Sequence, residues 1–137
     1  MRGLAVFHGR GTGPLARFLA PGFTHCFVCI EDANGTWIRF DGRDGIPELR
    51  AEAPAGFDLS GFYRAQGFAV VEIAEVAPLR PFTPLMLATC VGAAKRLLGL
   101  RAPRVLTPRQ LHQYLTRHLN KRRDTRWPPS SASAIRR

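Results

Sequence analysis

The stretch Phe23-Thr-His-Cys-Phe-Val-Cys-Ile30 most limits what this chain can become. Its alternating positions are apolar, aromatic or β-branched on both sides, so as a strand it belongs inside a sheet rather than at a border. Its one basic side chain is the imidazole of His25, near the leading end. Glu31-Asp-Ala-Asn-Gly35 follows as a turn signal, and Thr36-Trp-Ile-Arg-Phe40 reads as the returning strand of a hairpin.

Around this hairpin the remaining elements are read from periodicity and punctuation. Leu4-Ala-Val-Phe7 is a short strand, followed by the glycine-rich His8-Gly-Arg-Gly-Thr-Gly13. Such a loop lets backbone amides approach a phosphate. Here a dinucleotide fingerprint would need glycine where Pro14 stands, and no Gly-Lys-Ser/Thr follows, so a flexible turn is the expected reading. Pro14 suits the first turn of a short helix through Leu19. Residues 42–56 mix glycine, proline and charge without period and read as loop, and Phe57 to Tyr63 as a helical turn. Phe68 to Val76 is the cleanest strand.

Two helices close the chain. Thr107-Pro-Arg-Gln110 combines an N-cap, a proline at the first helical position and a capping-box glutamine. Leu111, Tyr114, Leu115, His118 and Leu119 then form one stripe, with His112 facing away, and both histidines read as structural or solvated. The preceding helix ends at Gly99, with Val91, Ala94, Leu97 and Leu98 inward and Lys95 and Arg96 outward. Its start is open between Thr89 and Thr83-Pro84. The order β-α-β-β-β-α-α predicts an α+β domain, an antiparallel sheet with helices packed on one side.

At 137 residues and 45% hydrophobic content, one domain spanning residues 1–119 is expected, with residues 120–137 as a flexible basic tail. Three cysteines cannot all pair with one another, which favours a reducing compartment or a thiol kept free for reactivity. Leu4 to Phe7 is too short for a signal-peptide core, and no run approaches the roughly 18 apolar residues of a membrane span. The chain is therefore expected to be soluble and cytoplasmic when made. The net charge is +10, and residues 117–137 hold seven basic side chains against Asp124 alone. Such a tail is either a solvated end or a contact for nucleic acid or an acidic protein surface.

The candidate chemistry rests on Cys90 and His25. If the helix starts after Thr89, Cys90 lies in its first turn, where free amides and the positive end of the macrodipole stabilise a thiolate. An imidazole in contact would lower the thiol pKa further and later protonate a leaving amine. If the helix starts at Thr83-Pro84, Cys90 is a second-turn thiol, buried and inert. Cys26 and Cys29 with His25 and Cys90 invite a zinc reading. Residues three apart on a strand face opposite ways, however, so both cysteines are expected to be small apolar fillers and no metal or cofactor is expected. Trp37 is core or cleft wall.

A histidine at the front of a strand, a hairpin with an aspartate near its far end, and a later Thr89-Cys90-Val91 helix resemble a circularly permuted papain-like (NlpC-type) cysteine hydrolase. The order His25 then Cys90 matches the permuted branch. Cys90-Val-x-x-x-Lys95-Arg-x-Leu98-Gly-Leu, followed by Val105-Leu-Thr-Pro108-x-x-Leu111-x-x-Tyr114-Leu, resembles small phage and prophage proteins of this fold. The resemblance implies a permuted papain-like arrangement in which Cys90 is the nucleophile and His25 the base and then acid, oriented by a third polar residue. The substrate it implies is an amide or ester, often in cell-wall peptidoglycan. For the third residue, a turn centred on Ala33 pairs His25 with Asp41, whereas a tight Asn34-Gly35 loop pairs it with Asp44 and turns Asp41 away. Asp41 is the nearest match to the family, against a plain turn-capping role. The alternative function is a non-catalytic papain-like component of a phage virion, docking on virion proteins or nucleic acid through residues 117–137.

Overall fold

A computed structural model describes residues 1–11, 16–43, 46–76 and 89–124. Five strands form one antiparallel sheet: β1 (Gly3–His8), β2 (His25–Glu31), β3 (Trp37–Arg43), β4 (Ile46–Ala53) and β5 (Ala69–Ile73), in the spatial order β4-β3-β2-β1-β5. A 3₁₀ turn over Ala16–Phe18 precedes β2, helix α1 (Leu59–Ala65) precedes β5, and α2 (Cys90–Leu97) and α3 (Pro108–Asp124) follow it. The chain is thus α+β, a five-stranded antiparallel sheet with three helices packed against it.

The strand at Phe23 to Ile30 is central, as its two apolar faces require, and both faces are covered. Ala5, Phe7, Cys26 and Val28 pack with Val91, Ala94 and Leu98 of α2 and Leu111 and Leu115 of α3. Leu4, Val6, Phe27 and Cys29 pack on the other face with Trp37, Ala53 and Leu59 and Tyr63 of α1. The expectation of helices on one side is therefore corrected: α1 lies opposite α2 and α3. Strict alternation on β1 and β2 creates the two apolar faces, and each must be buried.

A second correction concerns residues 42–56, expected as loop. Here β3 continues to Arg43 and β4 pairs with it from Ile46 to Ala53. Leu49 is two-thirds exposed and Ala53 alone joins the core, so β4 carries no hydrophobic period to read. It is an edge strand held by its backbone ladder, where Pro47 is tolerated. The short helix expected from Pro14 is represented by the 3₁₀ turn at Ala16; residues 12–15, including Pro14, lie outside the described residues.

The β2–β3 hairpin also departs from both expected registers. Asp32 Oδ1 accepts the amides of Asn34 and Thr36, and Gly35 takes a φ of 82° that favours glycine. Glu31 pairs with Trp37 and Val28 with Phe40, which centres the turn on Asn34. By this count the strand position opposite Asp41 is Phe27. Since Phe27 and His25 are two apart, Asp41 still shares a face with His25. Asp44 lies outside the described residues.

The helices closing the chain follow their signals. In α3 the Gln110 amide donates to Thr107 Oγ1, and Gln110 Oε1 accepts the amides of Leu106 and Thr107. Gly99, at φ 63°, follows α2. Three side chains differ from expectation. Lys95 is buried and donates from Nζ to the carbonyls of Ala102 (3.0 Å) and Val105 (2.7 Å), tying down the α2–α3 connection. His112 turns inward against Phe7 and Phe23, while His118 is exposed and stacks on Tyr114. The buried stripe of α3 is centred on Leu111 and Leu115, which puts position 112 on its margin and 118 outside it. α3 continues past Leu119 to Asp124; residues 125–137 lie outside the described residues.

Candidate active site

Helix α2 begins at Cys90. Thr89 has extended backbone angles (φ −118°, ψ 158°) and its hydroxyl accepts the Gly92 amide at 3.0 Å, so it is the N-cap. This settles the start in favour of Thr89; Thr83 and Pro84 lie outside the described residues. Cys90 occupies the first helical position and is half-buried. Its own amide is among those that a helix start leaves without an intrahelical acceptor.

The sheet receives this helix where β2 and β3 part. Their ladder runs from Glu31 and Trp37 to Val28 and Phe40, yet the strands continue to His25 and Arg43. At Gly42 a Cβ atom would stand 3.3 Å from Ala93 Cβ and 3.8 Å from Cys90 Cα. A glycine here lets the first turn of α2 settle on the strand pair. The Cys26 backbone amide, opposite Gly42 by the hairpin register, is directed at the Cys90 sulfur.

His25 and Asp41 meet across the same opening. His25 Nε2 lies 2.6 Å from Asp41 Oδ1, with His25 7% and Asp41 1% exposed. With Nε2 held by the carboxylate, Nδ1 is the ring atom left for Cys90, which helps to raise the pKa of the ring. The three residues singled out from the sequence, Cys90, His25 and Asp41, are therefore brought together.

Sequence reasoning missed three neighbours. Arg39 Nη2 donates to Asp41 Oδ2 at 2.6 Å, with its guanidinium over the Phe27 ring, 4.1 Å from the centroid. Beyond it stands Glu52, whose carboxylate accepts from the Tyr63 hydroxyl. Alternation along Trp37, Arg39 and Asp41 was the available signal, since it places all three on one face. Cys26 is the buried apolar filler expected, but it also belongs to the cluster against which Cys90 packs, and its thiol is the strongest influence lowering that of Cys90. Adjacent strand residues face opposite ways, yet His25 and Cys26 both lower the Cys90 thiol. His8, paired with His25 in the β1–β2 ladder, is buried with its ring centroid 5.2 Å from that of His25.

The electrostatics follow from these contacts. The Cys26 thiol, with His25 and the Cys26 amide, holds the Cys90 thiol down at about 4 against the effect of burial. Burial disfavours the His25 cation, but Asp41 and Cys90 outweigh it and raise the ring to about 9. Burial likewise works against the Asp41 carboxylate, and His25 and Arg39 overcome it, bringing Asp41 to about 2. At neutral pH the site is a thiolate–imidazolium pair. Cys26 is pushed well above the usual thiol range, first because it donates to Cys90 and then by burial.

Cys26 and Cys29 lie on opposite faces of β2, each in a different apolar cluster, and among the described residues no group of three or more His, Cys, Asp or Glu side chains is placed to hold a metal. Among the described residues no helix is long and apolar enough to cross a membrane. Comparisons with protein-family models, with curated proteins and with solved structures give no match.

Proposed function

We propose that the chain is a thiol-dependent amidase or peptidase of permuted papain-like arrangement, with Cys90 as nucleophile, His25 as acid and base, and Asp41 as orienter. The observation that carries this reading is the His25–Asp41 contact of 2.6 Å beside a cysteine at the first position of a helix. Attack of the Cys90 thiolate on a carbonyl carbon moves an electron pair onto the carbonyl oxygen, near the free amide of Cys90. The His25 imidazolium then gives its Nδ1 proton to the departing amine, leaving an acyl-thioester. Water, deprotonated by the now neutral ring, attacks this thioester; Cys90 leaves as thiolate and the ring is again an imidazolium. Asp41 keeps the ring oriented and balances its charge throughout. The substrate class, cell-wall peptide, rests on the family resemblance. The test is cleavage of peptidoglycan fragments and peptide esters by the wild type and by Cys90→Ala with an unchanged circular dichroism spectrum. Loss of all cleavage in the variant is expected, and wild-type protein inert toward both substrates would overturn the reading.

A second reading, a non-catalytic papain-like virion component, draws support from charge segregation. Residues 1–76 carry seven basic and nine acidic side chains, whereas residues 89–124 carry nine basic side chains against Asp124. Arg101, Arg104, Arg109 and Arg117 are all exposed in this helical layer. An arginine-rich layer suits phosphate contacts, so this reading expects duplex DNA binding whose affinity falls steeply with salt. Binding unaltered between low and physiological salt, or none, removes it.

A further inference from the structure

The site holds a second thiol that hydrolysis does not require as a nucleophile. Cys26 is 1% exposed and sits in the apolar cluster against which Cys90 packs. Counting on from the ladder, the position opposite it across the hairpin is Gly42, where a Cβ atom would stand 3.8 Å from Cys90 Cα. Cys90 packs against the apolar cluster that contains Cys26, and the Cys26 thiol is the strongest influence lowering the Cys90 thiol, so the two sulfurs are neighbours. Cys29 lies on the other face of β2 among Phe27, Trp37 and Tyr63, and has no path to either sulfur.

We propose that Cys90 and Cys26 form a peroxide-reactive dithiol site, in which Cys90 is oxidised by a hydroperoxide and Cys26 closes on it as an intramolecular disulfide. The half-buried Cys90 is the sulfur a small oxidant reaches, whereas Cys26 is buried. In the first step the Cys90 thiolate attacks the distal oxygen of the hydroperoxide. The O–O bond breaks, the alkoxide takes the His25 proton as alcohol, and Cys90 becomes a sulfenic acid. In the second, Cys26 gives its proton to the neutral ring and attacks the Cys90 sulfur. The S–O bond breaks, and the departing hydroxide takes that proton back as water. Two electrons have passed from the thiols to the peroxide, and a dithiol reductant returns them. A thiolate in this position is exposed to irreversible oxidation, and a buried neighbour that closes on the sulfenic acid diverts it into a reversible product.

This inference does not depend on the hydrolytic reading, because its measurement counts sulfurs rather than turnover. The full chain is treated with stoichiometric hydrogen peroxide, then denatured and alkylated, and its intact mass and linked peptides are determined. In the wild type we expect one remaining alkylatable thiol out of three, a peptide joining residues 26 and 90, a mass loss of about 2 Da before alkylation, and full reversal by dithiothreitol. Cys29→Ser should form the same link. Given a second equivalent of peroxide, Cys26→Ser should instead add about 32 Da at Cys90, as a sulfinic acid that dithiothreitol does not reverse, while the wild type, already closed as the disulfide, should not. Should Cys26→Ser fail to fold, peptide mapping of the wild type and Cys29→Ser decides alone. A link that involves Cys29 or joins two chains, or sulfinic acid at Cys90 of the wild type with no 26–90 peptide, overturns the proposal.

Discussion

Arg39 and Asp41 lie two residues apart on one face of β3, and Arg39 Nη2 grips one carboxylate oxygen at 2.6 Å while His25 holds the other at the same distance. Asp41 is 1% exposed, so its charge depends on these two partners. Removing one partner of a buried ion pair leaves the other uncompensated, a loss of about 3 kcal/mol. Arg39→Met is therefore expected to lower unfolding stability by that amount in urea titration. It should also depress kcat of the proposed hydrolysis by about tenfold, without change in KM, because Arg39 would order the proposed base rather than the substrate. Arg39→Lys should recover part of the loss, since a single ammonium replaces the charge but not the second reach toward Glu52.

The pH dependence separates the thiol from the ring. Cys90 is lowered to about 4, so below that pH the sulfur is protonated and alkylation is slow; above it the thiolate is present and the rate is high. Iodoacetamide labelling of Cys90 should have its midpoint near 4 rather than near the ordinary thiol value, and should outpace labelling of buried Cys26 and Cys29 at neutral pH. The proposed hydrolysis needs the His25 proton as well, and that proton leaves as pH rises through about 9. The activity profile should therefore be a bell between these limits. In Asp41→Asn the carboxylate that raises the ring is gone, so the alkaline limb should move to lower pH and the thiolate midpoint to higher pH. An Asp41→Asn profile identical to wild type would remove the orienting role.

How much of this site was legible varied with the distance over which its parts are joined. Thr89, Cys90 and the capping box at Thr107 are local signals, written within four residues, and the structure follows them. The hairpin was legible as a hairpin, but its register depends on one glycine at positive φ and on Asp32 accepting two amides. Parity rescued Asp41: a turn centred on Asn34 was neither register considered, yet it keeps positions 25 and 41 on one face. β4 was hidden because an edge strand gains its hydrogen bonds from β3 and needs no apolar period. The role of Cys26 was hidden because strand alternation shows that its side chain is buried but not which helix packs against it. Lys95 was misread because a helical wheel sees the helix alone, and its carbonyl acceptors lie in the connection that folds back over it.

The seat of α2 on the strands is open to test at Gly42. A Cβ there meets Ala93 Cβ at 3.3 Å, tighter than an ordinary van der Waals contact. Gly42→Val should push the first turn of α2 away from β2 and loosen the Cys90 contacts with His25 and Cys26. The expected result is a thiolate midpoint raised toward the ordinary thiol range in iodoacetamide labelling. Thr89→Ala acts on the same helix without crowding it. Loss of the N-cap should cost about 1 kcal/mol in urea titration, with a smaller rise in the thiolate midpoint. If Gly42→Val labelled like wild type while remaining folded, the close seat would not be what tunes Cys90.

Lys95 offers a test of the scaffold away from the chemistry. The residue is 8% exposed, and its ammonium serves two main-chain carbonyls, Ala102 and Val105, in the segment between α2 and α3. Hydrogen bonds from a charged donor contribute more than neutral ones; without Lys95 the Ala102 carbonyl keeps the Val105 amide, and the Val105 carbonyl loses its ammonium donor. Lys95→Ala should therefore destabilise the protein by roughly 3 kcal/mol. Lys95→Arg should do little better, because a planar guanidinium does not fit a site shaped around a compact ammionium's two acceptors. The predicted lesion is local: amide hydrogen exchange should quicken in residues 98–107 before it does in β2 or β3. The iodoacetamide midpoint of Cys90 should stay where it is, since Lys95 makes its bonds more than one helical turn away from the thiol. Global loss of protection at the same rate as the 98–107 segment would show that the connection is no separate unit but part of the sheet's own cooperative core.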